Sequence, residues 1–222
     1  AALPGAVIRF DPIMTRVPQA DYKGASAPQS RITLTDGSEA TILTARIGGA
    51  GEGAMATGSM AGHALGWQAE PFELEGVDGK RYTLQQVRGP KGTVVMFICN
   101  HCPYVKGVIG DVVREMAELR KDGVGAIAIM SNDTANYPAD SFENMKAFAK
   151  QHGFGFPYVI DRTQEVARSF DAVCTPEFFG FDKDLKLRYH GRISEMRGSQ
   201  PSPGAPRELL DAMRAIASGK PA

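Results

Sequence analysis

Hydrophobic and polar residues follow two kinds of pattern in the second part of this chain, and together they predict strands that alternate with helices. Continuous apolar runs at residues 93–98 and 124–130 indicate strands that are buried on both faces. Between these runs, apolar side chains recur every three or four positions, which predicts an amphipathic helix that ends at Gly123. The apolar face of that helix carries Val105, Ile109, Val112, Met116 and Leu119.

Shorter patterns extend this arrangement on both sides. Asp78-Gly79 separates two strand-like segments and predicts a hairpin. The later elements are a helix capped by Asp140 or Ser141 and ended by Gly153, a strand at 158–160, a helix at 163–170, a hairpin of 178–181 with 185–189, and a last helix at 206–218. Strands and helices in this order predict an α/β fold whose open sheet is covered on both faces.

The first 64 residues differ in composition from the rest of the chain. Asp36-Gly37 lies between two alternating runs, which predicts a hairpin, and residues 48–62 are small and flexible, which is typical of a linker. This tract also resembles a cloning scar before a second start at Met60, so part of it is interpreted as engineered. We therefore predict an N-terminal β-hairpin extension over residues 1–64, without assigned function, and a main domain over residues 65–222.

Composition and charge limit the classes of partner that the protein is expected to bind. The chain has 222 residues, and its 25 Lys and Arg balance its 25 Asp and Glu, so no overall field attracts nucleic acid or anionic lipid. Its longest apolar run is too short to cross a bilayer. We expect no nucleic-acid partner and no membrane partner, while the compartment, bacterial cytoplasm or periplasm, stays open.

The candidate chemistry lies in a Cys-x-x-Cys motif, Cys99 to Cys102, between a buried strand and the head of a helix. A helix N-terminus favours thiolate over thiol, and a second cysteine three residues away can resolve a mixed disulfide. A half zinc site or a pair of structural thiols are the alternatives, but Cys174 and the scattered histidines do not supply the missing ligands at a suitable spacing. We expect redox chemistry with no metal and no cofactor.

The position of Pro103 distinguishes the two cysteines. Proline suits the first position of a helix, so Cys102 is predicted at the N-cap or next to it, where the helix dipole acts on it more strongly than on Cys99. Cys102 is therefore the predicted nucleophile and Cys99 the resolving thiol. Between them, His101 is either a cation that raises thiol reactivity or an exposed loop residue.

Several strings of residues resemble one known family. They are Cys-Asn-His-Cys-Pro-Tyr-Val-Lys at 99–106, Ser-Asn-Asp at 131–133, Phe-Gly-Phe-Pro-Tyr at 154–158 and Val-Cys-Thr-Pro-Glu-Phe-Phe at 173–179. From about Leu65 to Pro221 the chain resembles the bacterial redoxin-type thioredoxin-like proteins, which lie near the alkyl hydroperoxide reductase/thiol-specific antioxidant (AhpC/TSA) proteins and the TlpA-type oxidoreductases.

This resemblance implies a thioredoxin fold, with a central mixed β-sheet flanked by helices and an added strand–helix segment at 158–170. It implies disulfide exchange between Cys99 and Cys102, and a cis peptide bond between Thr175 and Pro176 that faces Cys102. It also implies that the substrates are disulfides or thiols of proteins or small molecules, and that an unidentified reductant serves the motif.

Two other functions fit the motif less well. A thiol peroxidase would place Thr three residues and Pro seven residues before its reactive cysteine, and counting back from Cys102 gives Cys99 and Val95. A Sco-type copper protein matches at His101-Cys102-Pro103 and then fails at Lys106, although the two thiolates with an imidazole would suit Cu(I).

Two residues near Pro176 complete the expectations. Cys174 is predicted at the rim of the site, aimed away from Cys102, because Thr175 faces the motif and neighbours in an extended segment point to opposite sides. It is either packing or an exposed thiol that forms mixed disulfides. Glu177 is expected to be an exposed charge, since buried glutamates are rare, and the alternative is that it replaces the buried acid that thioredoxins carry one residue before the strand phenylalanine, where this chain has Met96.

Overall fold

The computed structural model describes residues 62–222 together with the backbone of two short strands, β1 (Ser30–Thr33) and β2 (Glu39–Ile42). These strands pair antiparallel, so the hairpin predicted around Asp36-Gly37 is confirmed. They belong to a compact unit of their own, separate from the one that holds residues 62–222. The linker predicted at 48–62 lies almost entirely outside the described residues.

Seven strands form the main sheet. They are β3 (Glu73–Gly76), β4 (Arg81–Thr83), β5 (Gly92–Phe97), β6 (Val124–Met130), β7 (Tyr158–Ile160), β8 (Glu177–Phe181) and β9 (Leu187–Gly191). Their order is β4-β3-β7-β6-β5-β8-β9. Strands β5, β6 and β7 are parallel to one another, and the other neighbours pair antiparallel, so the sheet is mixed.

Five α-helices accompany the sheet in the described part of the chain. They are α1 (Leu84–Val87), α2 (Pro103–Lys121), α3 (Phe142–His152), α4 (Glu165–Ser169) and α5 (Glu208–Ala217). A 3-10 turn (Pro138–Asp140) precedes α3, and a small ribbon, β10 (Met196–Arg197) with β11 (Gln200–Pro201), precedes α5. No helix within residues 62–222 combines the length and the apolarity that a bilayer crossing requires.

Hydrophobic cores cover both faces of the sheet, as the continuous apolar runs predict. Along β5, Val94 and Met96 enter one core, which packs against α2, α3 and α5, whereas Val95 and Phe97 enter the opposite core, beneath α1 and α4. Because both faces of the central strands are covered, the polar groups that the chain needs for chemistry are confined to the ends of these strands.

The elements match the sequence prediction closely, with small differences at their ends. Strand β4 ends at Thr83 and Leu84 begins α1, because Thr83 and Gln86 form a reciprocal capping box at that point. Helix α4 is shorter than predicted and starts after Gln164, whose positive φ of 59° breaks the chain direction. Helix α2 begins at Pro103 and is followed by Gly123, at a φ of 88°, as expected.

Candidate active site

The two motif cysteines lie between the end of β5 and the start of α2. Cys102 is the N-cap residue of α2, and Pro103 occupies the first helical position. The carbonyl oxygen of Cys102 accepts the first helical hydrogen bond, from the N–H of Lys106 at 3.0 Å. Cys99 lies in the loop between β5 and α2, three residues before Cys102. Both cysteines are buried, and both thiols are free.

The loop before β8 brings Thr175 onto both sulfurs. The Thr175–Pro176 peptide bond is cis, as the family resemblance implies. The Cys102 thiol donates to the carbonyl oxygen of Thr175 at 3.3 Å, and the Sγ of Cys99 lies 3.4 Å from Thr175 Oγ1. The structure therefore gathers four predicted site residues, Cys99, Cys102, Thr175 and Pro176, although some 70 positions separate the two segments.

The two thiols differ strongly in acidity. A hydrogen bond from the Cys99 thiol lowers the pKa of Cys102 to about 6; burial opposes this effect, and the N–H groups of Val105 and Tyr104 and the Thr175 side chain reinforce it. The pKa of Cys99 is raised, chiefly because Cys99 shares its proton with Cys102, and also by burial and by the charge of Asp140. Near neutral pH, Cys102 is the thiolate and Cys99 keeps its proton.

A buried carboxylate, Asp140, holds the loop between the cysteines. Its side chain is 0% exposed, and its Oδ1 accepts the backbone N–H groups of Asn100 (2.8 Å) and His101 (3.2 Å). Its Oδ2 lies 2.6 Å from His101 Nδ1 and accepts from Asn132 Nδ2 at 2.8 Å. Asp140 was predicted only as a possible helix cap, and Ser141 takes that place, since its Oγ accepts the N–H of Asn144.

His101 is neither a free loop residue nor buried. Its ring is 27% exposed, stacks on Tyr137 with centroids 5.3 Å apart, and is tied to Asp140. The neighbouring Asn100 is fixed from the other side by the hydroxyl of Tyr158, which donates to Asn100 Oδ1 at 2.9 Å. The segment between the cysteines is thus held by hydrogen bonds from two separate parts of the fold, the 3-10 turn before α3 and strand β7.

Among the described residues, one group of side chains brings potential metal-ligand atoms close together. Ligand atoms of Cys99, His101 and Asp140 lie within 4.8 Å of one another. Both Asp140 oxygens already face two hydrogen-bonding nitrogens each, so a metal ion here would displace existing bonds. Cys102, which the copper hypothesis included, is not part of this group.

The expectation that Glu177 is an exposed charge is wrong. Glu177 is 1% exposed, and its Oε2 accepts the N–H groups of Val173 (2.8 Å) and Cys174 (3.2 Å). Its Oε1 lies 2.7 Å from Nε2 of His190, which in turn stacks on Phe179. Burial is possible because three donors satisfy the carboxylate, and Glu177 thereby anchors the loop that carries Thr175.

Cys174 is partly buried, and its thiol is unlike that of Cys102. Burial, followed by the charges of Glu177 and Cys102, raises the pKa of Cys174 to about 12.

We therefore expect Cys174 to be inert at pH 8. In a protein that also carries Cys99→Ser and Cys102→Ser, its alkylation by iodoacetamide should be at least ~100-fold slower than that of free cysteine. Intact mass against time measures this rate. A glutathione adduct or dimer that depends on Cys174 would contradict it.

A mixed sheet flanked by helices, with a cysteine at a helix N-terminus opposite a cis-proline loop, defines an oxidoreductase of the thioredoxin fold. The chain is matched over residues 65–190 by the family model described as the AhpC/TSA family. Because this match spans more than half of the sequence, the chain belongs to the AhpC/TSA family, in agreement with the resemblance of its motifs.

Three known proteins show how far the similarity extends. The thiol-disulfide oxidoreductase ResA of Bacillus thuringiensis subsp. konkukian is 26% identical over 136 residues, which are 61% of this chain and 71% of ResA. An uncharacterized conserved protein from Geobacillus kaustophilus is 45% identical, with a TM-score of 0.68, over 71% of this chain and 84% of that one. A thiol:disulfide interchange protein of the thioredoxin family from Chlorobium tepidum, at 20% identity and a TM-score of 0.53, covers 70% and 98% of the two chains and supports the fold alone.

Proposed function

We propose that this protein exchanges thiols and disulfides through Cys99 and Cys102, with Cys102 as the attacking thiolate and Cys99 as the resolving thiol. The observation that carries the proposal is the placement of the two sulfurs: Cys102 caps α2, and both sulfurs contact Thr175 just before the cis-proline Pro176. We place the activity in residues 65–222. The name of ResA, a thiol-disulfide oxidoreductase, supports the same reaction.

In the first step, the Cys102 thiolate attacks a substrate disulfide, forms a mixed disulfide and expels one substrate thiolate, which takes up a proton. Cys102 is buried, and as a thiol it donates to the Thr175 carbonyl oxygen. Ionisation removes that hydrogen and leaves a thiolate facing a carbonyl dipole. The resulting repulsion favours movement of the sulfur away from Thr175 and toward a substrate.

In the second step, Cys99 loses its proton and attacks the Sγ of Cys102. The bond between Cys102 and the substrate sulfur breaks, and the second substrate thiolate leaves and is protonated. The substrate disulfide has then gained two electrons, and Cys99 and Cys102 have become a disulfide. An external thiol reductant, which neither the fold nor the motif identifies, restores the dithiol, and protein or small-molecule disulfides serve as substrates.

Insulin reduction tests this function. The pre-reduced protein, kept in excess over insulin and free of other thiols, is expected to precipitate the insulin B chain and to become oxidised by two electrons. Peptide mapping of the product under non-reducing conditions should show a Cys99–Cys102 link. Absence of insulin reduction, or a link between Cys99 and Cys174, would contradict the proposal.

The same preparation separates the alternatives. Faster oxidation by hydrogen peroxide than by insulin, with a sulfenic acid on Cys102, would favour a peroxidase. Tight Cu(I) binding in competition with a chelator, together with inactivity toward insulin, would favour a metal-binding protein, which the grouping of Cys99, His101 and Asp140 supports to a lesser degree.

A further inference from the structure

We propose that His101, held by Asp140, accepts the proton that Cys99 must lose in the second step of disulfide exchange. The inference rests on the proposed function and adds a base to it. His101 is the catalytic residue of this pair, and Asp140 is a positioning residue that orients the imidazole and stabilises its charged form.

Cys99 needs a proton acceptor because of where it lies. It is fully buried, and its sulfur contacts Thr175 Oγ1, a hydroxyl that is not a base at neutral pH. A ring nitrogen of His101 and a carboxylate oxygen of Asp140 both lie within 4.8 Å of the Cys99 sulfur. Because Nδ1 of His101 already faces Asp140, the proposed step uses one bridging water to connect the Cys99 thiol to the other ring nitrogen.

The other titratable groups around Cys99 are poor acceptors. The hydroxyl of Tyr158, whose pKa is raised by its complete burial, stays protonated and donates to Asn100. Cys174 likewise keeps its proton. Cys102 is tied up in the mixed disulfide at this stage. Among the described residues that act electrostatically on Cys99 or lie beside it, only His101 and Asp140 remain.

The hydrogen bond to Asp140 determines which ring nitrogen of His101 can accept a proton. The Asp140 carboxylate is an acceptor, so the Nδ1 of His101, 2.6 Å away, carries the proton of a neutral imidazole, and the Nε2 keeps a lone pair. The N–H groups of Asn100 and His101 hold the carboxylate in place, and Asn132 donates to its other oxygen. After the proton is taken up, the imidazolium lies next to a carboxylate that is already buried, which stabilises the charge.

Protons and electrons balance in this second step of disulfide exchange. The Cys99 proton moves to His101, the Cys99 thiolate forms a bond to the Cys102 sulfur, and the bond from Cys102 to the substrate sulfur breaks. The departing substrate thiolate then takes the proton back from the imidazolium. No oxidant beyond the substrate disulfide and no reductant beyond the reduced protein is needed.

Single turnover with 5,5′-dithiobis(2-nitrobenzoate) separates the two steps, since each releases one coloured thiolate. The variants are His101→Gln and Asp140→Asn, with Asp133→Asn as a matched control, because the Asp133 carboxylate bonds to Ala135 and Asn136 of its own turn. Stopped-flow absorbance follows both phases between pH 5.5 and 9.5, and thermal unfolding checks that each variant is folded.

In His101→Gln and Asp140→Asn, the first phase should stay within about threefold of the parent, while the second slows by at least ~10-fold at pH 7. In these variants, the rate of the second phase should also rise with pH up to pH 9.5. In the parent and in Asp133→Asn, that rate should level off at a lower pH. The exposed part of His101 makes its variant the decisive one if Asp140→Asn fails to fold.

A second phase in His101→Gln with the rate and pH profile of the parent would overturn the inference, as would equal slowing of both phases. Failure of the proposed function has a different signature. In that case the unmodified protein releases no second thiolate, or a Cys102→Ser variant still shows the first phase.

Discussion

Replacing Cys102 by serine is expected to reduce the rate of insulin reduction at pH 7 by at least ~100-fold. The reason is that Cys99, the remaining motif thiol, is buried and keeps its proton, since the loss of the neighbouring thiolate does not remove the effects of burial or of Asp140. Thiolate, and not thiol, attacks a disulfide, so almost no reactive species is left.

The matched variant, Cys99→Ser, should fail in a different way. It retains the Cys102 thiol at the N-terminus of α2 and attacks, but it has no resolving thiol and stops at the mixed disulfide. Intact mass after a stoichiometric disulfide should therefore show one covalent adduct on Cys99→Ser and none on Cys102→Ser. The reverse pattern would assign the attack to Cys99.

The pH dependence of alkylation gives an independent reading of the same assignment. In the unmodified reduced protein, the rate at Cys102 should rise through a midpoint at about pH 6 and level off above it, because the thiolate form is present above its pKa. A Cys99→Ala variant should have a higher midpoint, since it removes the hydrogen bond from the Cys99 thiol, which is the largest cause of the lowered pKa. An unchanged midpoint would show that the helix N-terminus alone acidifies Cys102.

The fold and the position of the motif could be predicted because each depends on neighbours in the sequence. Continuous apolar runs predicted β5 and β6, and the 3.6-residue pattern predicted α2. Pro103 indicated that Cys102 lies at the N-terminus of α2. The cis bond before Pro176 followed from the family resemblance. The strands and the helix are local features of a contiguous chain, whereas the mixed sheet, like the cis bond, was implied by the family resemblance.

The residues that support the motif could not be predicted in the same way. Asp140 reaches Asn100 and His101 across about 40 positions, and no spacing rule relates a 3-10 turn to a loop on another strand. Its sequence context, just before an amphipathic helix, indicated a cap. Burial of an acid is favourable only when several donors surround it, and that information exists only in the folded chain.

Glu177 shows the same limitation, and its removal should have the largest effect on stability among the substitutions considered. Glu177→Ala leaves the N–H groups of Val173 and Cys174 and the ring of His190 without their partner, inside the protein. Unsatisfied buried polar groups cost about 1–3 kcal/mol each, so we expect the free energy of unfolding to fall by about 3 kcal/mol. Denaturant titration measures this loss.

The loop that Glu177 anchors carries Thr175, so the same variant should also expose the site. Cys174 should be alkylated faster in Glu177→Ala than in the parent, both carrying Cys99→Ser and Cys102→Ser, because the carboxylate helps to raise its pKa and binds its N–H. The control is Glu143→Ala, which removes a glutamate that is 80% exposed and paired with Lys146 on the surface. It should change the free energy of unfolding by no more than about 0.5 kcal/mol and leave Cys174 inert. Equal stability losses in the two variants would mean that the buried bonds of Glu177 contribute no more than a surface ion pair, and that the loop before Pro176 is held by packing alone.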